Sequence, residues 1–176
     1  TPYLYYVIIS STASLRSSST YIFIQLILFL LLYNISMELK FKKTNDNAVI
    51  PSKNQDTDTG LDVTSVVDIT IPAKGSAVVD VGLKFAYISF GYWVKIEGRS
   101  GLGFKYGIFP HPGIIDQGYR GDAGIKLYNF TDKDYEVKAG DRIAQFVVYK
   151  NYNVEVGESE IKESKRGEKG FGSSGR

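Results

Sequence analysis

The chain has 176 residues, with 21 Lys+Arg against 19 Asp+Glu for a formal net charge of +2, one histidine and no cysteine. That length serves one domain with a real core, and the near-neutral charge offers no basic field for nucleic acid. The missing cysteines exclude disulfides, thiolate catalysis and Cys-based zinc or iron sites, and a lone His111 excludes a multi-histidine metal cluster.

Residues 1–36 differ in kind from the rest: their only charged side chain is Arg16, and 21–33 are apolar or aromatic except Gln25. That run is shorter than the roughly 20 residues a helix needs to cross a bilayer. The start, Thr1-Pro2-Tyr3, lacks the basic region of a secretory signal. The only methionine, Met37, stands where the composition turns ordinary. The expectation is that the fold starts at Met37 and that 1–36 are translated upstream sequence or an incomplete leader. A membrane anchor, tilted or in a thinned bilayer and extended to Ile35, is the alternative.

From Met37 onward the pattern is short strands broken by turns, with no helical period of any length. Residues 38–42 alternate polar and apolar, the mark of a half-buried strand. A β-branched run at 64–71 is closed by Pro72, and 76–85 follows the turn at Lys74-Gly75. Residues 90–96 form an aromatic strand, in which Trp93 is read as core or sheet face. Strands are then predicted at 125–129, 142–149 and 152–156, with further turns at Asp58-Thr59-Gly60, Lys105-Tyr106-Gly107, 129–134 and Ala139-Gly140. His111, between Pro110 and Pro112, belongs to a fixed loop and is read as structural. So many short strands argue an all-β fold, a jelly roll or distorted β-barrel with little helix. The tail, 157–176, is polar and glycine-rich, the composition of a disordered segment. It nevertheless carries a single ring, Phe171, between Gly170 and Gly172 and beside Arg166, Ser173 and Ser174. An arm of that kind can close over a phosphorylated aromatic ligand.

Three segments carry chemistry. Gly113-Ile114-Ile115-Asp116-Gln117-Gly118-Tyr119-Arg120-Gly121-Asp122 sets an acid and a ring between glycine turns, with Asp116 at the end of a strand on what reads as a hairpin. The plainer reading is a turn that only closes the hairpin. Arg99-Ser100-Gly101 offers a planar donor fork, a hydroxyl and a close backbone approach for phosphate; its plainer reading is a salt-bridged arginine beside a β-turn. Asp62 and Gln145 are oxygen donors beside apolar strand positions and suit Mg²⁺, directly or through water, or else a capping or sheet-edge role.

In order and content these segments resemble the trimeric dUTP pyrophosphatase (dUTPase) family. Thr59-Gly60-Leu61-Asp62-Val63 resembles its first motif, Gly98-Arg99-Ser100-Gly101-Leu102 the second, residues 113–129 the third, 140–145 the fourth and 166–175 the fifth. Gly98, Asp122 and Lys169 depart from the usual proline, glutamate and glycine. The resemblance implies a jelly-roll domain at 37–160 with a C-terminal lid arm at 161–176. The implied reaction is Mg²⁺-assisted hydrolysis of dUTP to dUMP and pyrophosphate, which limits uracil in DNA and supplies dUMP for thymidylate synthesis. Asp116 is implied to orient the attacking water and to meet the 3′-hydroxyl, and Tyr119 to exclude a ribose. Main-chain groups from Gly113 through Ile114, Ile115 and Gly124 to Lys126 are implied to read uracil. Arg99, Ser100 and Gly101 are implied to hold the α- and β-phosphates, and Asp62 and Gln145 to bind waters of the magnesium. Arg166, Ser173 and Ser174 are implied at the γ-phosphate, with Phe171 stacked on the base and Gly172 also among the substrate-binding residues. The family also implies a homotrimer with shared sites, no nucleic-acid partner, no membrane contact for the core domain, and a cytoplasmic, nuclear or virus-encoded enzyme. Two other readings keep the same fold: a dCTP deaminase-like enzyme, and a non-catalytic nucleotide-binding or signalling trimer.

Overall fold

The structure is a computed structural model that describes Ile24, Ile27 and residues 37–168; the remainder of the leader and residues 169–176, Phe171 included, lie outside it. Eleven strands and one short helix are distinguished between residues 37 and 168: β1 Leu39–Lys43, β2 Leu61–Thr64, β3 Ile69–Ile71, β4 Ser76–Val79, β5 Leu83–Ile88, β6 Tyr92–Glu97, α1 Ser100–Tyr106, β7 Ile108–Pro110, β8 Ile114–Ile115, β9 Ile125–Asn129, β10 Tyr135–Val137 and β11 Arg142–Lys150. They pair, all antiparallel, into sheets ordered β2-β11-β6-β8, β4-β9-β7, β1-β5 and β10-β3. The sheets do not close on one another as a barrel; the arrangement is the jelly-roll branch of the expectation. No helix among the described residues is long and apolar enough to cross a membrane.

The core lies between the sheets and is stitched by rings. Phe85 and Phe146 are fully buried 5.4 Å apart, and Phe41 packs 5.0 Å from one and 5.9 Å from the other. Each buried phenylalanine contributes about 1.5–3 kcal/mol relative to exposure, so this cluster fixes β1, β5 and β11 as one body.

Two predicted strands are each broken in two. The run at 64–71 leaves β2 at Ser65, whose hydroxyl donates to the Val67 carbonyl at 2.7 Å and accepts the Val67 N–H, so the backbone is satisfied locally rather than in a ladder. The run at 76–85 is broken at Gly82, which takes φ 63° and donates its N–H to Asp80 Oδ1 at 2.8 Å. The strand expected at 152–156 does not form: Tyr152, Val154 and Val156 are exposed and find no partner strand among the described residues. The helix α1 was not expected, since Ser100-Gly101-Leu102-Gly103 has poor helix propensity. It closes through Gly107, at φ 65°, whose N–H bonds the Gly103 carbonyl at 3.1 Å.

The predicted hairpin is also corrected. β8 pairs with β6 and β9 pairs with β4 and β7, so residues 116–124 cross between two sheets instead of folding back on themselves. His111 is structural as read, its N–H on the Lys126 carbonyl at 2.7 Å and its Nδ1 3.3 Å from the Tyr128 hydroxyl.

Candidate functional site

The candidate residues fall into two groups at opposite ends of β6. At one end β11 brings Gln145 opposite both Asp62 on β2 and Glu97 on β6. Arg142 and Gln145 are three apart and would face opposite sides of a regular strand. The register shifts between Arg142 and Ala144, a bulge that turns both side chains toward Asp62.

The Asp62 side chain is only 11% exposed and accepts three hydrogen bonds: Arg99 Nε at 3.0 Å and Gln145 Nε2 at 3.1 Å on Oδ1, and Arg142 Nη1 at 2.9 Å on Oδ2. Arg99 Nη1 also donates to the Arg142 carbonyl at 3.0 Å. A carboxylate this enclosed needs such pairing, because an unpaired charge loses hydration without replacement. Gly60 leaves room for Gln145: a Cβ on it would lie 2.7 Å from both Cδ and Oε1 of that side chain, which would have to shift. Arg99 is the salt-bridged arginine of the plainer reading, but the segment after it opens α1 rather than a β-turn.

Ser100 and Gly101 sit in the exposed first turn of α1, where the amides have no intrahelical acceptor. Nothing of the described chain approaches the Cβ position of Gly101, so its glycine is not a packing requirement. A cavity of about 290 Å³ opens beside them, lined by Gly98, Arg99, Ser100, Gly103, Phe104 and Phe109. Arg99 also lines a second cavity, of about 390 Å³, with Arg142, Tyr135 and Asp141. Burial raises the Tyr135 hydroxyl above its ordinary pKa, helped by Asp141 and Tyr106, which keeps it a neutral donor.

At the other end of β6 lies the acid and its ring. β8 sets Ile115 opposite Val94, so Asp116 is level with Trp93, and Gln117 Oε1 accepts the Gly91 N–H at 3.2 Å. Asp116 is exposed, and its carboxylate has no hydrogen bond or ion pair among the described residues. The neighbouring Arg120 is turned away, donating instead to the carbonyls of Gln117 at 2.8 Å and Tyr119 at 2.7 Å. Tyr119 is held on three sides: its hydroxyl donates to the Asp122 carbonyl at 3.0 Å, its ring meets Phe85 edge-on at 5.9 Å, and Gly121 lies beneath it. A Cβ on Gly121 would stand 2.3 Å from the Tyr119 hydroxyl.

The main-chain groups expected to read a base are partly committed. The Gly113 carbonyl takes the Ile96 N–H, that of Asp116 the Tyr119 N–H, and that of Gly121 the Phe85 N–H. Ile114 is exposed at the edge of its sheet, whereas Gly124 and Lys126 belong to the β4-β9-β7 side, with the Lys126 ammonium over the Tyr128 ring. Arg166 sits in an exposed turn closed by the Gly167 N–H on the Ser164 carbonyl at 3.1 Å. Gly172, Ser173 and Ser174 lie outside the described residues with Phe171. Arg142, Gly60, Gly121 and Phe85 contact the candidate side chains without being candidates themselves; the glycines carry a signal, as turn residues beside candidate groups, but Arg142 and Phe85 read as ordinary strand positions.

Asp62 and Gln145 fit an outer-sphere role toward a divalent cation. Metal-bound water donates hydrogen bonds, and Asp62 Oδ2 and Gln145 Oε1 keep acceptor capacity beyond the bonds above. No group of three or more His, Cys, Asp or Glu side chains among the described residues gathers as an inner-sphere cage.

A sequence model of the dUTPase family matches residues 46–175. The deoxyuridine 5′-triphosphate nucleotidohydrolase of Arabidopsis thaliana is 42% identical over 137 residues, spanning 77% of this chain and 82% of that protein. Among solved structures, the dUTPase of Staphylococcus bacteriophage 80alpha with dUPNHPP superposes with a TM-score of 0.72 at 30% identity, covering 79% of this chain and 99% of that one. A mutant dUTPase of phage phi11 of S. aureus, which coordinates a structural Mg(II) ion, superposes with a TM-score of 0.65 at 25% identity over 72% of this chain and 99% of that one.

Proposed function

The chain belongs to the dUTPase family, and from that premise we propose how its residues divide the hydrolysis of dUTP to dUMP and pyrophosphate. A water oxygen bonds to the α-phosphorus as the bridge to the β-phosphate breaks, so pyrophosphate leaves and the water's proton is released. Asp116 orients that water, accepts its proton, and meets the 3′-hydroxyl. It suits the task because its carboxylate is exposed and uncommitted among the described residues. Tyr119, locked by Asp122, Phe85 and Gly121, presents a fixed ring as the wall against a 2′-hydroxyl. Uracil is read by main-chain groups of residues 113–126 that the chain leaves uncommitted, Gly124 among them.

Arg99, Ser100 and Gly101 receive the α- and β-phosphates, with the open Cβ position of Gly101 giving the anion room to reach the amides. Asp62 and Gln145 would hold the waters of a bound Mg²⁺, which would supply charge neutralisation. Residues 161–176 act as a lid arm on the domain at 37–160, with Arg166, Gly172, Ser173 and Ser174 at the γ-phosphate and Phe171 on the base. Nothing here needs a nucleophilic side chain; positioning and charge stabilisation carry the rate.

One observation carries the assembly. From Trp93 to Arg99 is six residues, roughly 20 Å at about 3.3 Å per residue, and Asp116 lies level with Trp93. The sugar and the α-phosphate of a nucleotide are adjacent groups, so Asp116 and Arg99 of one chain do not serve one molecule. We propose that a second copy supplies the missing half, in a homotrimer with shared sites. The test is pyrophosphate release from dUTP, dCTP, dTTP and UTP, with Mg²⁺ and then with EDTA. Release from dUTP alone, abolished by EDTA and by Asp116→Asn, is expected; ammonia from dCTP, or binding of dUTP without release, would replace this reading by one of its rivals.

A further inference from the structure

We propose that Arg142 is a positioning residue for the phosphate seat: by occupying Asp62 Oδ2 it prevents Arg99 from closing on Asp62 with both prongs and so keeps Arg99 turned toward the substrate. The inference rests on the assignment of Arg99 to the phosphates.

Asp62 has two oxygens, and an arginine beside an unshared carboxylate favours the bidentate arrangement, two parallel N–H···O bonds. Arg99 does not adopt it. Its Nε meets Oδ1 at 3.0 Å, its Nη1 goes to the Arg142 carbonyl at 3.0 Å, and Oδ2 is taken by Arg142 Nη1 at 2.9 Å. Of the five N–H donors on a guanidinium, these bonds engage one on Nε and one on Nη1 of Arg99, which leaves the outer edge for an anion. Arg142 thus acts twice, its guanidinium blocking Oδ2 and its carbonyl receiving Arg99.

Charge points the same way. Asp62, Arg99 and Arg142 together carry +1, and the loss of Arg142 leaves a neutral pair that has less attraction for a triphosphate. The bulge between Arg142 and Ala144 is what brings Arg142 to the Gln145 side of the strand. Arg142 remains half-exposed, so it can yield without unfolding the core.

The full chain with Arg142→Met and with Arg142→Gln tests this. For each, the dissociation constants of dUPNHPP and dUMP are measured by calorimetry, alongside kcat and KM for dUTP and the melting temperature. For Arg142→Met, dUPNHPP binding weakens about tenfold or more and KM rises in parallel, while dUMP binding, which uses one phosphate and the nucleoside half-site, changes less than about twofold. Arg142→Gln keeps one donor toward Asp62 without the charge and falls between. If Arg142→Met does not fold, Arg142→Gln alone decides, with dUPNHPP weakened about threefold or more and dUMP unchanged. Equal weakening of both ligands, which a purely structural role gives, overturns the proposal, as does dUPNHPP binding within twofold of wild type. Failure of the wild type to release pyrophosphate would instead reject the hydrolytic reading, and the two calorimetric constants would still report on Arg142.

Discussion

Single residues set the chemistry through what their neighbours leave undone. Asp116 suits its proposed role because Arg120, four residues on, spends its guanidinium on two carbonyls instead of on the acid. Asp116→Asn keeps the shape and removes the base, so dUTP turnover should fall about 10²- to 10⁴-fold with dUPNHPP binding little changed; a kcat within tenfold of wild type would remove Asp116 from the mechanism. Tyr119 depends equally on Gly121. A methyl group at that position collides with the hydroxyl at 2.3 Å and Cζ at 2.5 Å, and the ring, 42% exposed, can only swing outward. Gly121→Ala should therefore lower the dUTP-over-UTP ratio of kcat/KM by about tenfold, and an unchanged ratio would mean that the ring is not the ribose wall. Asp116 and Tyr119 stand out in the sequence as an acid and a ring between glycines on a β background, but their proposed roles come from the family resemblance and not from that pattern. Arg142 does not stand out, because an arginine opening an apolar strand reads as an edge residue until the bulge shows where it points.

Elements were legible where the chain satisfies itself by period alone. The alternation at 125–129 became β9 with the same bounds, and the β-branched run at 142–149 became β11 with one added residue. Reading failed where one side chain overrules a run, as the Ser65 hydroxyl does between β2 and β3, or where tertiary contacts hold a weak helix, as for α1. The β9 to β10 connection is another such place. Asn129 is buried at 1% exposure; its Nδ2 donates to the carbonyls of Ile71 at 3.1 Å and Lys133 at 2.8 Å, and its Oδ1 accepts from the N–H and hydroxyl of Thr131. Asn129→Asp preserves shape but points an acceptor at two carbonyls, and should cost about 2–3 kcal/mol in urea unfolding; a loss under 0.5 kcal/mol on the same scale would show the turn holding itself. The proposed arm is tested by deletion of residues 167–176. The truncated protein should keep its folding and assembly and lose most of its turnover, while full turnover would remove the arm from catalysis.

At the scale of the whole molecule, one strand separates the two halves of the chemistry. In the proposed division of roles Asp116 lies level with the Tyr92 end of β6 and Arg99 lies beyond Glu97 at the other, and the β6 ladder with β11 opposes bending them together. On the proposed roles a chain alone is incomplete, and the side chains of Val154, Val156 and Ile161 are likewise exposed. Both deficits are met if copies assemble so that the acid of one faces the arginine of another. The consequence is arithmetical. Asp116→Asn and Arg99→Ala are each expected to be inactive alone. If they are unfolded together and refolded as mixed assemblies in equal amounts, a site works when its acid comes from the Arg99→Ala chain and its arginine from the Asp116→Asn chain, which is about one site in four under random assortment. Pyrophosphate release should therefore reappear on mixing at about a quarter of the wild-type rate per site, and separately refolded controls should stay inactive. If each chain carried a whole site, no mixture would recover, since every chain would lack one of the two groups, and the span of β6 would then have to be bridged within one chain by a movement that its ladder opposes.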